Sequence, residues 1–141
     1  MTEDSRVKVG RSEEKMHGPR GLAVAGFSTE EQRLLLDLIE KTIAPPLPVI
    51  FVGPSQAGMT VLDVLGLPDR FGLLEQSSSP RTVLMSGLLE TELRDLMSAF
   101  RSIGLPRPLW ATLTPFSEKW TLRDLLTHLA EEAEAFQRRR K

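Results

Sequence analysis

The sequence predicts an α/β fold, an α+β sandwich in which two βαβα repeats share one mixed sheet of about four strands, with helices packed on it. Shifting the chain by 61 positions aligns residues 21–65 with residues 82–126 without a gap. Short apolar runs alternate with helical patterns in both segments. One copy has too few strands to bury its own helices, so we expect the copies to share a core about an approximate two-fold axis. Identities fall at Gly26/Gly87, Glu31/Glu92, Arg33/Arg94, Leu35/Leu96, Pro45/Pro106, Pro54/Pro115, Thr60/Thr121, Asp63/Asp124 and Leu65/Leu126.

The first repeat spans residues 21–66. Ser28 and Glu31 have the spacing of a capping box, which predicts the start of a helix. A proline pair ends that helix because proline has no amide hydrogen to donate. The predicted elements are a strand over Leu22–Ala25, a helix that ends before Pro45, a strand over Val49–Val52 and a short helix from Thr60 to Gly66.

The second repeat spans residues 81–141 and follows the same order. We predict strands over Val83–Ser86 and Leu109–Leu113, with a helix between them that stops at Gly104. Thr121 and Asp124 have the spacing of a helix cap and begin the last helix. The predicted buried face of that helix consists of Leu122, Leu125, Leu126, Leu129, Ala133 and Phe136.

Two segments lie outside the repeats. Residues 1–20 are highly charged with little to bury, which predicts a flexible tail, although Arg6–Val9 alternates as an edge strand would. Residues 67–80 form a connector rich in proline, glycine and serine. We expect Phe71, Leu73 and Leu74 in this connector to pack onto the core.

Composition narrows the function classes. The net charge of −1 argues against a dedicated nucleic-acid binder. The absence of cysteine excludes disulfides and thiolate chemistry. No apolar run approaches the roughly 20 residues that cross a bilayer, and the N-terminus lacks an apolar signal-peptide centre. We therefore expect a soluble, cytoplasmic protein with no membrane partner, no metal and no cofactor.

The second repeat carries a recognisable string, Leu113-Thr114-Pro115-Phe116-Ser117-Glu118-Lys119-Trp120-Thr121-Leu122, with Met85, Gly87, Glu92-Leu93 and Arg101 upstream. This pattern resembles a small bacterial family, the domain of unknown function thirty-seven eighty-three, over roughly residues 81–132. Family members have asparagine where this chain has Ser117. The resemblance implies a domain type and no biochemical activity. It also implies that the first repeat is a diverged sister copy.

Two strand-to-helix loops are the candidate ligand sites. In the loop over residues 114–120, hydroxyl groups and a helix N-terminus suit a small ligand or anion. Its candidate residues are Thr114, Ser117, Trp120 and Thr121. The equivalent loop over residues 53–58 offers Gly53, Ser55 and Gly58, but it lacks the lysine of a phosphate-binding loop. The alternative is structural: the hydroxyls satisfy backbone donors, and Trp120 packs beside the helix cap.

Other chemistry-bearing residues have structural explanations. The two histidines, His17 in the tail and His128 near a helix surface, are too far apart in sequence to indicate a metal site. Trp110 is expected in the core; facing outward, it would mark an interface. The Arg138–Lys141 run could touch nucleic acid, although such runs more often aid solubility. Six carboxylates are expected on exposed helix faces or first turns: Glu90, Glu92, Asp95, Glu131, Glu132 and Glu134.

These observations favour a non-enzymatic binding or regulatory module, built as an internal pseudo-dimer, that has a protein partner or self-associates. The alternative is a small-ligand or anion-binding protein, or an enzyme, that uses the loops over residues 53–58 and 114–120. A third hypothesis is nucleic-acid association through the basic C-terminus.

Overall fold

A computed structural model describes residues 14–44, 46–75, 77 and 79–140. Residues 6–9, whose alternation would suit an edge strand, lie outside the described residues. The chain runs strand, helix, strand, helix, twice, as the sequence predicts. The strands are β1 (Gly21–Ala25), β2 (Val49–Phe51), β3 (Thr82–Ser86) and β4 (Leu109–Thr112). The helices are α1 (Thr29–Thr42), α2 (Val61–Leu65), α3 (Glu90–Arg101) and α4 (Leu122–Arg140).

The strands form one mixed sheet in the order β2-β1-β3-β4, which confirms the predicted fold class. β2 is parallel to β1, and β4 is parallel to β3. β1 and β3 pair in antiparallel fashion at the centre, with Ala23 opposite Leu84. These two residues are 61 positions apart and are therefore equivalent in the two repeats. The approximate two-fold axis thus passes between them, at the centre of the sheet.

Helices cover both faces of the sheet. Because side chains alternate along a strand, Leu22 and Val24 face a core with α1 and α3. Ala23 and Ala25 face the opposite core, with α2 and the first turns of α4. The resulting three layers bury all of β1, β2 and β3, whereas β4 is only half-buried.

The turns after β1 and β3 each contain a glycine, and the segment that leads into the other repeat crosses each glycine closely. Gly26 and Gly87 have φ angles of +83° and +67°, which favour glycine. A Cβ on Gly26 would meet the backbone of Ser79 and Pro80, and one on Gly87 would meet the backbone of residues 18–20. The crossing segments are themselves 61 positions apart, so each repeat packs on the other at the same point.

Hydrogen bonds recur at the same 61-residue spacing. Val52 N–H donates to Val24 O, and Leu113 N–H donates to Met85 O. In the helix caps, Thr60 Oγ1 accepts from Asp63 N–H, and Thr121 Oγ1 accepts from Asp124 N–H. The two threonines form an antiparallel bridge with each other. Further equivalent bonds link Val61 N–H to Trp120 O and Leu122 N–H to Met59 O.

The last helix differs from its sequence-based prediction. Leu122 and Leu125 are buried as expected, but Phe136 is 52% exposed, so its assignment to the buried face was wrong. Leu126, Leu129 and Ala133 are only half-buried. The distal half of the 19-residue α4 borders an open groove that Met97 and Trp110 also line, so Phe136 lies at a groove rather than in the core.

The connector packs as predicted in part. Phe71 and Leu73 pack against the two cores, but Leu74 is 48% exposed, contrary to the expectation. Residues 14–20, which the sequence assigns to a tail, contact the second repeat. Met16 N–H donates to Leu88 O, and His17 O accepts from Gly87 N–H.

Candidate functional site

The loop over residues 114–120 is closed by its own polar groups. The Thr114 and Ser117 hydroxyls lie 3.1 Å apart. Thr114 N–H donates to Ser117 Oγ at 3.1 Å, and Ser117 N–H donates to Thr114 Oγ1 at 3.0 Å. Ser117 is buried and begins a 3-10 turn that ends at Lys119. These hydroxyls therefore hold the turn together, which is the structural alternative that the sequence left open.

The loop over residues 53–58 is closed in an equivalent way. Gln56, 61 positions before Ser117, is also buried, and its Oε1 accepts from Gly53 N–H at 2.8 Å. A side chain added at Gly53 or Gly58 would meet nothing within 4 Å, so neither glycine is needed for packing space. Ser55 lies in the 3-10 turn Pro54–Gln56 and is exposed.

The far ends of the two loops meet at the centre of one sheet face. Thr60 and Thr121 form the antiparallel bridge, and Arg123 N–H donates to Ala57 O. The near ends, Gly53 and Thr114, follow β2 and β4, which are the outer strands of the sheet and run in opposite directions. The fold thus brings Thr121 next to the first loop, but it does not gather all seven candidate residues in one cavity.

Trp120 packs edge-on against His128, with the ring centroids 5.2 Å apart. Together with Asp124, Thr127 and Glu131 they line a shallow depression of about 290 Å³. His128 lies at the surface and contacts Glu132 at 3.1 Å. The other histidine, His17, pairs with Glu118 at 2.7 Å.

A larger groove of about 800 Å³ runs along α4 beside the first loop. Gly53, Pro54 and Ala57 line one end, and the half-buried side of α4 forms a wall. Charged side chains of both signs also line it: Arg81, Arg107, Arg123, Glu131 and Glu134. Arg81 is paired with Glu31, so Arg107 and Arg123 are the cations that could meet a ligand. The lining is mainly apolar, so this groove suits a largely apolar ligand whose anionic group lies next to those two arginines.

Two ion pairs join the repeats reciprocally. Arg20 binds Glu92 with both terminal nitrogens, at 2.8 and 2.9 Å, and Arg81 binds Glu31. Arg20 and Arg81 are 61 positions apart, as are the two glutamates. Glu92 lies in the first turn of α3, as expected, but it is only 7% exposed because Arg20 covers its carboxylate. The alignment over residues 21–65 missed these pairs because Arg20 lies one position before it.

Both glutamates are held in their charged form. The pKa of Glu31 lies below its usual value of 4.5, mainly because its carboxylate accepts from the Ser28 backbone amide and from Arg81. The pKa of Glu92 also lies below 4.5, mainly because of its bond from Arg20 and secondly because of the Leu89 amide. Burial opposes both shifts, so the partners outweigh the cost of desolvation.

The two outer strands of the sheet end in different surroundings. The outer edge of β2 is covered by residues 69–71: Phe51 N–H donates to Phe71 O, and Arg70 N–H donates to Val49 O. The outer edge of β4 faces two adjoining grooves of about 870 and 460 Å³ that share Met97, Arg107 and Trp110. Trp110 is half-buried and packs edge-on against Phe100, with centroids 5.4 Å apart.

Two further properties concern the described part of the chain alone. Within it, no group of three or more histidine, aspartate or glutamate side chains is arranged to hold a metal ion. No helix in it combines the length and apolar character that a bilayer crossing requires.

Comparison with known proteins identifies the second half. The model of a protein family described as a domain of unknown function, DUF3783, matches residues 81–136. Residues 81–136 form a DUF3783 domain. This DUF3783 domain contains β3, α3, β4 and α4 as far as Phe136, and the match does not extend into the first half of the chain. No curated protein and no solved structure matches the chain.

Proposed function

We propose that this chain is a non-enzymatic protein-interaction module built as an internal pseudo-dimer, in which the first half is a diverged copy of the DUF3783 domain. The observation that carries the proposal is the recurrence of contacts at the 61-residue spacing of the sequence identities. In the β1–β3 ladder, the residues equivalent to the pair Gly21 and Ser86 are Thr82 and Ala25, which also pair with each other. Likewise, adding 61 to each residue number of the β1–β2 pairs gives the β3–β4 pairs.

The contacts between the halves support this proposal because they are self-complementary. In an isologous interface, residue i of one unit contacts residue j of the other, and j contacts i in return. The pairs Arg20–Glu92 and Arg81–Glu31 have this relation, as do the backbone bonds on either side of the Thr60–Thr121 bridge. A chain that contains both units forms such an interface within itself.

Solution mass tests the pseudo-dimer. Light scattering should give the mass of one chain, 15.8 kDa, because the interface is satisfied internally. A family member with a single domain should instead be a dimer. The swap Arg20→Glu with Glu92→Arg should regain stability that each single change loses, and Arg33→Glu, on the exposed side of α1, is the charge-matched control. A stable large oligomer with no self-contained monomer would contradict the proposal.

The second candidate function is binding of a small anionic ligand beside the loops over residues 53–58 and 114–120. The groove of about 800 Å³ with Arg107 and Arg123 favours it. Native mass spectrometry of the purified protein, followed by melting curves with inorganic phosphate and ATP, tests it. A saturating ligand raises stability by RT ln(1 + [L]/Kd), so a dose-dependent rise in Tm is expected. Arg123→Gln should remove the rise, whereas Arg33→Gln should not.

A further inference from the structure

Within the described ranges, the outer edge of β4 presents backbone amides that have no hydrogen-bond partner. In the parallel pair β3–β4, Leu109 N–H donates to Arg81 O and Leu113 N–H donates to Met85 O. Since successive residues of a strand point their amides to opposite sides, the amides of Trp110 and Thr112 point away from β3. The described residues provide no partner for either amide. At the equivalent positions of β2, Phe51 N–H donates to Phe71 O and Val49 N–H donates to Asp69 Oδ1.

The surface beside this edge is apolar along its length and cationic at one end. Met97, Trp110 and Leu129 line the two grooves between α3, β4 and α4. Arg101, Arg107 and Arg139 lie around the N-terminal end of β4, and no carboxylate among the described residues pairs with any of the three. Glu132 also lines one groove, but it contacts His128.

We propose that the outer edge of β4 binds an extended segment of a partner protein as a fifth strand, with acidic side chains of that segment next to Arg101, Arg107 and Arg139. This inference rests on the proposed function as an interaction module and names the partner's chemistry. Strand addition derives affinity from main-chain bonds and specificity from pockets for alternate side chains. The grooves on either side of β4 provide such pockets, and the three arginines favour an acidic segment over a second copy of the same cationic edge.

A designed peptide tests the proposal. The probe is fluorescein-labelled Asp-Asp-Val-Thr-Val-Thr-Val, and the control replaces both aspartates with lysine. Anisotropy titrations should give saturable binding of the acidic probe with Kd below about 1 mM, and at least about tenfold weaker binding of the control. The affinity of the acidic probe should fall as salt rises. Equal binding of the two peptides, or none at about 1 mM, would overturn the proposal.

Thr112→Pro isolates the main-chain contribution. Proline removes the outward amide and leaves the inward bonds of β4 to β3 in place, which edge strands tolerate. Binding should weaken about tenfold, whereas Thr112→Ala should bind as the wild type does. Arg107→Glu should weaken binding several-fold more than its charge-matched control Arg33→Glu. If Thr112→Pro fails to fold, amide chemical shifts of wild-type protein replace it, and peptide should move Trp110 and Thr112 rather than Phe51.

Other occupants of the edge would appear as distinct results. A dimer that Thr112→Pro dissociates would assign the edge to a second copy and overturn the proposal. Deletion of residues 1–13 that tightens probe binding tenfold or more would assign it to this chain's own N-terminal segment, with the same consequence. Probe binding is independent of chain mass, so a monomer that binds no probe would overturn strand addition and leave the pseudo-dimer standing.

Discussion

β2 and β4 are equivalent strands on opposite edges of one sheet, but among the residues that the structure describes only β2 has a segment paired along its outer edge. After β2, helix α2 ends at Leu65, Gly66 caps it, and the chain turns back so that residues 69–73 lie along the strand edge. After β4, helix α4 starts from an equivalent threonine cap but continues for 19 residues and leaves the strand edge open. The comparison teaches that equivalent strands of the two repeats can differ in whether the following segment pairs with their outer edge, and an unpaired edge is able to accept another strand.

Gly72→Ala should have the largest effect, because it acts on the segment that covers β2. Gly72 has a φ of +74°, and an added Cβ would collide with the backbone carbonyl of Phe51. Left-handed strain and the clash together should cost about 3 kcal/mol of unfolding free energy. Urea unfolding measures the loss. Amide exchange should show Phe51 losing protection towards the rate of its equivalent, Thr112.

Gly104→Ala is the matched control for Gly72→Ala. Gly104 has a similar φ of +77°, but a Cβ there would meet nothing within 4 Å. Its free energy of unfolding should therefore fall only by the cost of a left-handed alanine, about 1 kcal/mol. Equal losses for the two variants would mean that residues 69–73 do not cover the edge of β2.

Gln32→Leu should have the second-largest effect on the free energy of unfolding. Gln32 is 2% exposed, and its side chain anchors the end of the covering segment: Nε2 donates to Glu75 O at 2.7 Å, and Oε1 accepts from Leu74 N–H at 2.7 Å. The equivalent residue is Leu93, so this anchor belongs to the first half alone. Leucine would leave both backbone groups without a partner, for a loss of about 2 kcal/mol. Gln32→Glu should lose at least as much by urea unfolding, because it places a buried carboxylate against the carbonyl oxygens of Glu75 and Phe27.

Much of this comparison could not be predicted from the sequence. Ser28, Thr60 and Thr121 indicate helix starts because a cap acts within three residues, and the structure confirms those starts. The covering of β2 depends on Gln32 reaching Glu75, 43 positions away, which no local pattern encodes. Phe136 continues an apolar stripe, but burial also needs an opposing element. For the candidate loops, the residue types suit a ligand, and only the geometry reveals that Thr114 and Ser117 bind each other.

Glu92→Gln should have the third-largest effect, and the effect should depend on pH. The pKa of Glu92 lies below its usual value of 4.5, mainly because of its bond from Arg20. The stabilisation from this bond is therefore complete at pH values above 4.5, and it is lost as the pH falls through the lowered pKa. The variant should lose about 1.5 kcal/mol at pH 7 and converge with wild type in acid. Glu31→Gln should behave alike if the two ion pairs are equivalent.

Melting curves between pH 3 and pH 7, a range of about four units, measure this convergence. Glu90→Gln is the control, because the Glu90 side chain is 40% exposed and its ion pair with Arg94 in the same helix is long, at 3.8 Å. A constant difference from wild type at every pH would mean that the charge of Glu92 contributes nothing to stability.

Thr60→Ala and Thr121→Ala should have the smallest effects, and they compare the two repeats at the residues where the repeats meet. Each removes a hydroxyl that accepts a hydrogen bond from the amide of the third helical residue, Asp63 or Asp124, at 3.2 and 3.1 Å, so each should cost about 1 kcal/mol by urea unfolding. Because the two threonines form one bridge, the double variant should depart from additivity. Thr91→Ala, in the first turn of α3 without a capping bond, should stay within about 0.5 kcal/mol of wild type. A much larger loss for Thr60 than for Thr121 would mean that the five-residue α2 depends on its cap, whereas α4 is held by packing along its length.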